Sequence, residues 1–225
     1  MGTVPTIPSL LTTITGALAG LPSNLTTASA GADVFEGYAL SIVLEAAVAE
    51  GATVTFQNRD LTPCTSAIFR TSPGHLYSEA QNYSHAVIAF PDVPVLEAHL
   101  GVYLTGRSRL IHEADVVVLL ASEAAQSRSN SVPPRSYASI LTVECKFYAD
   151  SISLGLGRGF VGLCSDLSAD KSFFVTNSGS LSVEKLLTHK HLGWASQLRP
   201  SEAVVVNRLR NEIQAVFKDY KAKHA

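Results

Sequence analysis

Apolar residues recur along this chain with two periods, and the change from one to the other marks out its elements. Ile7, Leu10, Leu11, Ile14, Leu18 and Leu21 fall at helical spacing, which predicts an amphipathic helix near the start. Asp33 to Glu50 predicts a second helix. Asp33 is placed to cap it, Val34, Tyr38, Ile42, Val43 and Ala46 form its apolar face, and Gly51 ends it. The period then falls to two. Short strands are expected over Ala52 to Gln57 and Tyr83 to Phe90, and longer ones over Pro94 to Thr105 and Arg109 to Ala121. The longer pair is joined at Gly106-Arg107, which is hairpin-turn chemistry. Asn58 to Gln81 carries Pro63 and Ser72-Pro73-Gly74 and reads as a loop or one weak helix. Ser122 to Ser136, rich in Ser, Arg and Pro, reads as an exposed loop.

A further strand is expected over Tyr137 to Tyr148. Ser151 to Asp166 keeps Ile152, Leu156, Phe160 and Leu163 on one helical face despite four glycines, and those glycines allow close approach to a sheet or a phosphate backbone. Lys171 to Thr176 reads as a strand and Ser180 to Lys190 as a helix. Ser201 to Lys221 reads as a long amphipathic helix with Val205, Leu209, Ile213, Val216 and Tyr220 inward. This order suits an α/β domain with a mixed central β-sheet flanked by helices. Three parts are expected: an uncharged helical appendage over residues 1–32, a main domain over 33–200, and a C-terminal helix over 201–225 packed on it.

Composition fits a large core, with 46% apolar and 16% charged residues. A net charge of −2 argues against non-specific adhesion to nucleic acid and leaves room for a local basic surface. Cys64, Cys145 and Cys164 have no paired spacing, so reduced thiols in a cytoplasmic protein are expected, and no C-x-x-C or H-x-x-x-H pair offers a zinc site. Ile7 to Leu21 followed by Ala28-Ser29-Ala30 imitates a signal peptide but lacks a basic lead, and the run is too short and polar to span a bilayer. Met1-Gly2-Thr3-Val4-Pro5-Thr6 matches a myristoylation pattern, one short enough to arise often by chance.

The chemistry concentrates in two of the expected strands. One is His112-Glu113-Ala114-Asp115-Val116-Val117-Val118-Leu119-Leu120, and the other, Ser139 to Tyr148, carries Glu144-Cys145-Lys146. Strand alternation sends Glu144 and Lys146 to one side and Val143, Cys145 and Phe147 to the other. Two carboxylates and an amine then share ground where apolar residues are the rule. Carboxylate oxygens suit Mg²⁺, and a neighbouring lysine can steer or deprotonate a water. Glu-x-Lys alone is common, because exposed strand faces are often Glu and Lys; its weight comes from Asp115 and from Glu36 upstream. Glu97 and His99 share a strand face and either line a cleft or belong to an exposed surface. His85 and Trp194 read as packing residues, and His112 as a strand entry.

The order Phe35-Glu36 early in a helix, then Asp115 on an apolar strand, then Glu144-x-Lys146, resembles the PD-(D/E)xK superfamily. This is the restriction-endonuclease-like fold of restriction enzymes, Holliday-junction resolvases and repair exonucleases. The resemblance runs from Asp33 to Ser178 and rests on motif order. It implies a mixed sheet flanked by helices, with Mg²⁺ (or Mn²⁺ as substitute) at the end of two adjacent strands. Asp115, Glu144 and the Cys145 carbonyl would be the ligands, Lys146 would position the attacking water, and Glu36 would be an outer or second-metal carboxylate. The implied activity is hydrolysis of DNA in restriction, defence or repair. Arg107, Arg109, Arg128, Arg135 and Arg158 would meet phosphates, with Lys171 and Lys190 behind them.

Ala114 stands where the family motif has Pro, and the stretch from Gln57 to Asp115 exceeds a minimal core. The long interval between the two acids is accommodated if Ser122 to Ser136 is a loop. The expected partners are DNA, a second copy of the chain and a targeting protein. The alternative is a non-catalytic nucleic-acid-binding or assembly subunit on the same fold. A third reading is an unrelated α/β regulatory domain, in which Asp115 and Glu144 would lie beyond the roughly 8 Å within which two carboxylates can share an ion.

Overall fold

Runs of β-branched residues pair side by side in the order in which the chain presents them. The computed structural model describes Pro5 to His224; the start of the myristoylation pattern, Met1 to Val4, lies outside the described residues, as does Ala225. Helices α1 (Ile7–Ala17) and α2 (Gly31–Ala49) come first, then strands β1 (Thr53–Asn58), β2 (Ser84–Ala89), β3 (Leu96–Thr105) and β4 (Ile111–Leu120). Helix α3 (Ala121–Asn130) leads into β5 (Ser139–Lys146), followed by α4 (Leu154–Asp166), β6 (Lys171–Thr176), α5 (Leu181–His189), β7 (Gly193–Ala195) and α6 (Ala203–His224). Among the described residues the strands form one seven-stranded sheet in sequence order. Neighbours from β1 to β5 are antiparallel, while β6 and β7 join in parallel after helical crossovers by α4 and α5. The chain is therefore α/β, with a mixed sheet flanked by helices.

The main core lies on one face of the sheet. Helix α2 is apolar almost all round, the pattern of a buried helix, and Val34, Phe35, Tyr38, Ile42 and Val43 are all buried. They share a core with Leu10 and Ile14 of α1, Leu209, Ile213 and Phe217 of α6, and Leu96, Ala98, Val116, Val118, Val143 and Cys145 of the sheet. Asp33 lies in the first turn of α2, where a carboxylate complements the helix dipole, and not at the cap, which is Ala30. The opposite face holds two smaller cores, one around Val102, Leu104, Val117 and Leu119, the other around Phe160, Phe174, Val183 and Leu187 beneath α4 and α5. Among the described residues no helix is long and apolar enough to cross a membrane.

Two further expectations change. The supposed loop from Ser122 is helical through Asn130, because Ala121, Glu123, Ala124, Ala125 and Gln126 are strong helix formers and Ser131, left-handed at φ 53°, closes the helix. Helix α6 buries Phe217 fully and Val216 partly. Strand β7 is too short to show a period.

Alternation also breaks at one point, across from Asp115. Ala98 and Leu100 belong to the α2 core, whereas Val102 and Leu104, of the same parity, belong to the opposite one. Gly101 between them has φ +56°, a conformation glycine adopts without strain, and it reverses the alternation. Leu100 pairs with Val116 and Val102 with Ala114, so Asp115 stands opposite this reversal. On β4 the same switch separates Ala114 from Val116.

Candidate active site

Strands β4 and β5 part at the residues that the sequence singles out. Their ladder runs through Val118–Leu141 and Val117–Thr142 to Val116–Val143 and goes no further. One step on, the Asp115 side chain takes over the role of a ladder carbonyl: the Cys145 N–H donates to its Oδ2 at 2.6 Å. Lys146 Nζ stands 2.6 Å from Glu144 Oε1 and 3.9 Å from Asp115 Oδ2. The two carboxylate oxygens are thus no farther apart than those distances laid end to end, inside the roughly 8 Å limit for sharing one ion. Glu144 and Lys146 keep 20% and 23% of their side-chain surface exposed, enough to meet a ligand from solvent, while Asp115 keeps 9%.

Helix α2 brings Glu36 to the same place. Burial pushes its carboxyl up to about 8, and the negative charges of Asp115, Asp33 and Glu113 add to the effect against Lys146. Burial raises Asp115 to about 7; Glu144 adds to this, and Lys146 and the Cys145 N–H oppose it. Glu113 is raised too, by burial and by Glu144. Burial works against the Lys146 ammonium, yet Glu144 and Asp115 outweigh it and hold its pKa above the ordinary value. Lys146 is therefore a proton donor at neutral pH, which favours steering a water over deprotonating it. The Cys145 thiol is buried and its pKa is driven well up, so it offers no thiolate.

Several hard oxygen donors around one ammonium fit a divalent cation, because one lysine leaves carboxylates that resist ionising together. The linkage has a definite sign. A carboxylate raised on folding binds its proton more tightly in the native state. Its contribution to stability is complete below the ordinary carboxylate pKa and is lost as pH rises through about 7 to 8. In EDTA the thermal midpoint is expected to fall between about pH 5 and about pH 9. Glu36→Gln should flatten the fall, and added Mg²⁺ should reverse it. Circular-dichroism melts check this; an equal fall in Glu36→Gln would remove Glu36 from the cluster.

No protein-family model, curated protein or solved structure matches this chain.

The expected phosphate-contacting residues divide. Arg128 is bound to Glu97 beneath the other face of the sheet, at 3.1 and 2.5 Å, and Arg135 is turned onto Glu123 by its Nε, Nη2 and backbone N–H. Arg128 is largely covered in its pairing, while Arg135 keeps 48% of its side chain exposed; the carboxylates that engage them are both buried. Arg107 and Arg109 lie exposed in the β3–β4 turn, and Arg158 lies exposed on α4. Asp166 at the end of α4 holds that turn through Ser108, the Arg107 N–H and His112 Nε2, so His112 has a structural partner. Lys171 opens β6 and Lys190 ends α5.

Sequence reasoning passed over Glu113, whose signal was its spacing of two from Asp115 on a strand. It also left open Glu97 and His99, which are buried, with no exposed sheet face around them.

Proposed function

We propose that the protein is a metal-dependent nuclease that hydrolyses phosphodiester bonds of DNA on a restriction-endonuclease-like fold, serving restriction, defence or repair. The observation that carries this reading is the meeting of Asp115, Glu144 and Lys146 where two adjacent strands part, with Glu36 reaching in from the packed helix. A mixed sheet flanked by helices, with its acids at the end of two neighbouring strands, is also what the PD-(D/E)xK resemblance implies.

Asp115, Glu144 and the Cys145 carbonyl are the residues that would hold Mg²⁺, with Glu36 as an outer carboxylate. Once bound, the ion supplies charge neutralisation at the phosphate and a more acidic water. The chain's own residues do the positioning. The Cys145 N–H fixes Asp115 by one oxygen and leaves Oδ1 free of that bond. Lys146, anchored on Glu144, offers its remaining protons to a water or to a non-bridging phosphate oxygen. Arg107, Arg109 and Arg158 stay exposed to attract the backbone.

Supercoiled plasmid, linear duplex and single-stranded DNA are the substrates to incubate with the protein in Mg²⁺ or Mn²⁺. The expected result is nicking or cutting that stops in EDTA and resumes when Mg²⁺ is restored. A folded protein that cleaves none of them under any of these conditions is instead a nucleic-acid-binding or assembly subunit.

A further inference from the structure

The face of the sheet away from α2 holds a polar cluster far from ordinary core chemistry. His85 on β2 and His99 on β3 stand opposite each other, one step beyond the Ala86–Ala98 pair, and Glu97 lies two residues before His99 on the same side. Their side chains are 0%, 1% and 7% exposed. Arg70, Leu76 and Tyr83, from the long segment between β1 and β2, are buried above them; Tyr83 touches both imidazoles, and Arg70 lies over the Tyr83 ring. One ligand atom from each of His85, Glu97 and His99 lies within 4.8 Å of the other two.

The hydrogen bonds do not account for this cluster. His85 has no partner on either ring nitrogen, and His99 has none on Nδ1. A buried imidazole left so is unfavourable unless something else binds it. His85 Nε2 is 3.5 Å from Glu97 Oε2, and His99 Nε2 is 2.9 Å from the same oxygen. A bridging water holds its two partners roughly 4.5 Å apart, so 3.5 Å is too close to admit one and long for a direct bond. Two ligands on a tetrahedral zinc ion at about 2.1 Å stand roughly 3.4 Å from each other.

We infer that His85, Glu97 and His99 form a binding site for a divalent transition-metal ion of the zinc class, separate from the acid cluster and independent of the nuclease reading. Two imidazoles and a carboxylate are a zinc donor set with one position left open, and nitrogen donors select against Mg²⁺. Arg128 hydrogen-bonds both oxygens of Glu97 and so competes with an ion for the ligating carboxylate. Its charge at the same time opposes a cation and weakens the site. The two rings lie nearly parallel, at 19°, so binding requires one imidazole to turn about its Cβ–Cγ bond until the lone pairs converge.

The test loads the full chain with Zn²⁺, dialyses it, and measures bound metal by mass spectrometry and by competition with a chromophoric chelator. Co²⁺ provides a visible spectrum that reports four-coordinate geometry. One retained equivalent is expected. His85→Gln and His99→Gln should each weaken binding more than about 100-fold, beyond the 10–100-fold loss that removing an outer partner brings. Arg128→Gln should tighten it about tenfold or more by removing the opposing charge. Asp115→Asn should leave it unchanged. No retained metal in the unaltered protein overturns the site, as does undiminished retention in both histidine variants. Loss in Asp115→Asn alone assigns the ion to the acid cluster and likewise overturns it. If both histidine variants unfold, the Co²⁺ spectrum of the unaltered protein decides: four-coordinate absorption supports the site and its absence overturns it.

Discussion

Asp115→Asn and Glu144→Ala are each expected to reduce DNA cleavage more than about 10³-fold, and Lys146→Ala by about 10²- to 10⁴-fold. Asparagine at 115 is the more informative change. Its carbonyl oxygen can still accept the Cys145 N–H, so the parting of β4 and β5 survives while the ligand charge is lost. The thermal midpoint should hardly move, and metal-dependent cutting should vanish. Lys146→Ala is different. It removes the one cation among Glu36, Glu113, Asp115 and Glu144, so metal-free protein should lose stability at alkaline pH, and Mg²⁺ should recover most of it. The measurement is plasmid cleavage alongside melting curves with and without metal. Full cleavage by both acid variants would sink the site, whatever Lys146→Ala did.

The largest effect on stability is expected far from those acids. Arg128→Ala should destabilise the fold by about 3–5 kcal/mol, because Glu97 stays buried and charged with its bidentate partner gone. In the unaltered protein, burial pushes the Glu97 carboxyl up, yet hydrogen bonds from His99 and Arg128 prevail and bring it down to about 2. Its contribution is therefore complete above the ordinary carboxylate pKa and fades as pH falls through about 2. Without Arg128 the carboxylate protonates more readily, so the penalty should shrink as the solution is acidified. The double replacement Glu97→Met with Arg128→Met should cost much less than the two single changes together, since no charge is then left stranded. Urea unfolding of the four proteins tests this, and simple additivity would contradict a coupled buried pair.

Much of the architecture was legible from periodicity. Strand Lys171 to Thr176 has the bounds its pattern implies, and the hairpin at Gly106-Arg107 joins the strands expected there. Glu144 and Lys146 could be placed together because a strand period of two is insensitive to small errors in its ends. What escaped depends on contacts distant in sequence. Alternation reports which face a residue occupies and not what covers that face, so Glu97 and His99 could be read as exposed when the segment carrying Arg70 and Tyr83 buries them. The destinations of Arg128 and Arg135 depended on recognising α3, whose helix formers sit among serines. The face reversal at Gly101 has no signal in a hydrophobic pattern, since either face accepts Leu and Val.

Strand order equal to chain order has a consequence for synthesis on the ribosome. Each strand emerges next to the one it will pair with, so the sheet can grow from its β1 edge without waiting for distant sequence. The candidate acids are all made by the time β5 appears, yet the side of α2 that Leu209, Ile213 and Phe217 cover stays open until α6 leaves the exit tunnel. Closing the core thus waits for α6, and the nascent chain carries its candidate acids before they are rigidly held.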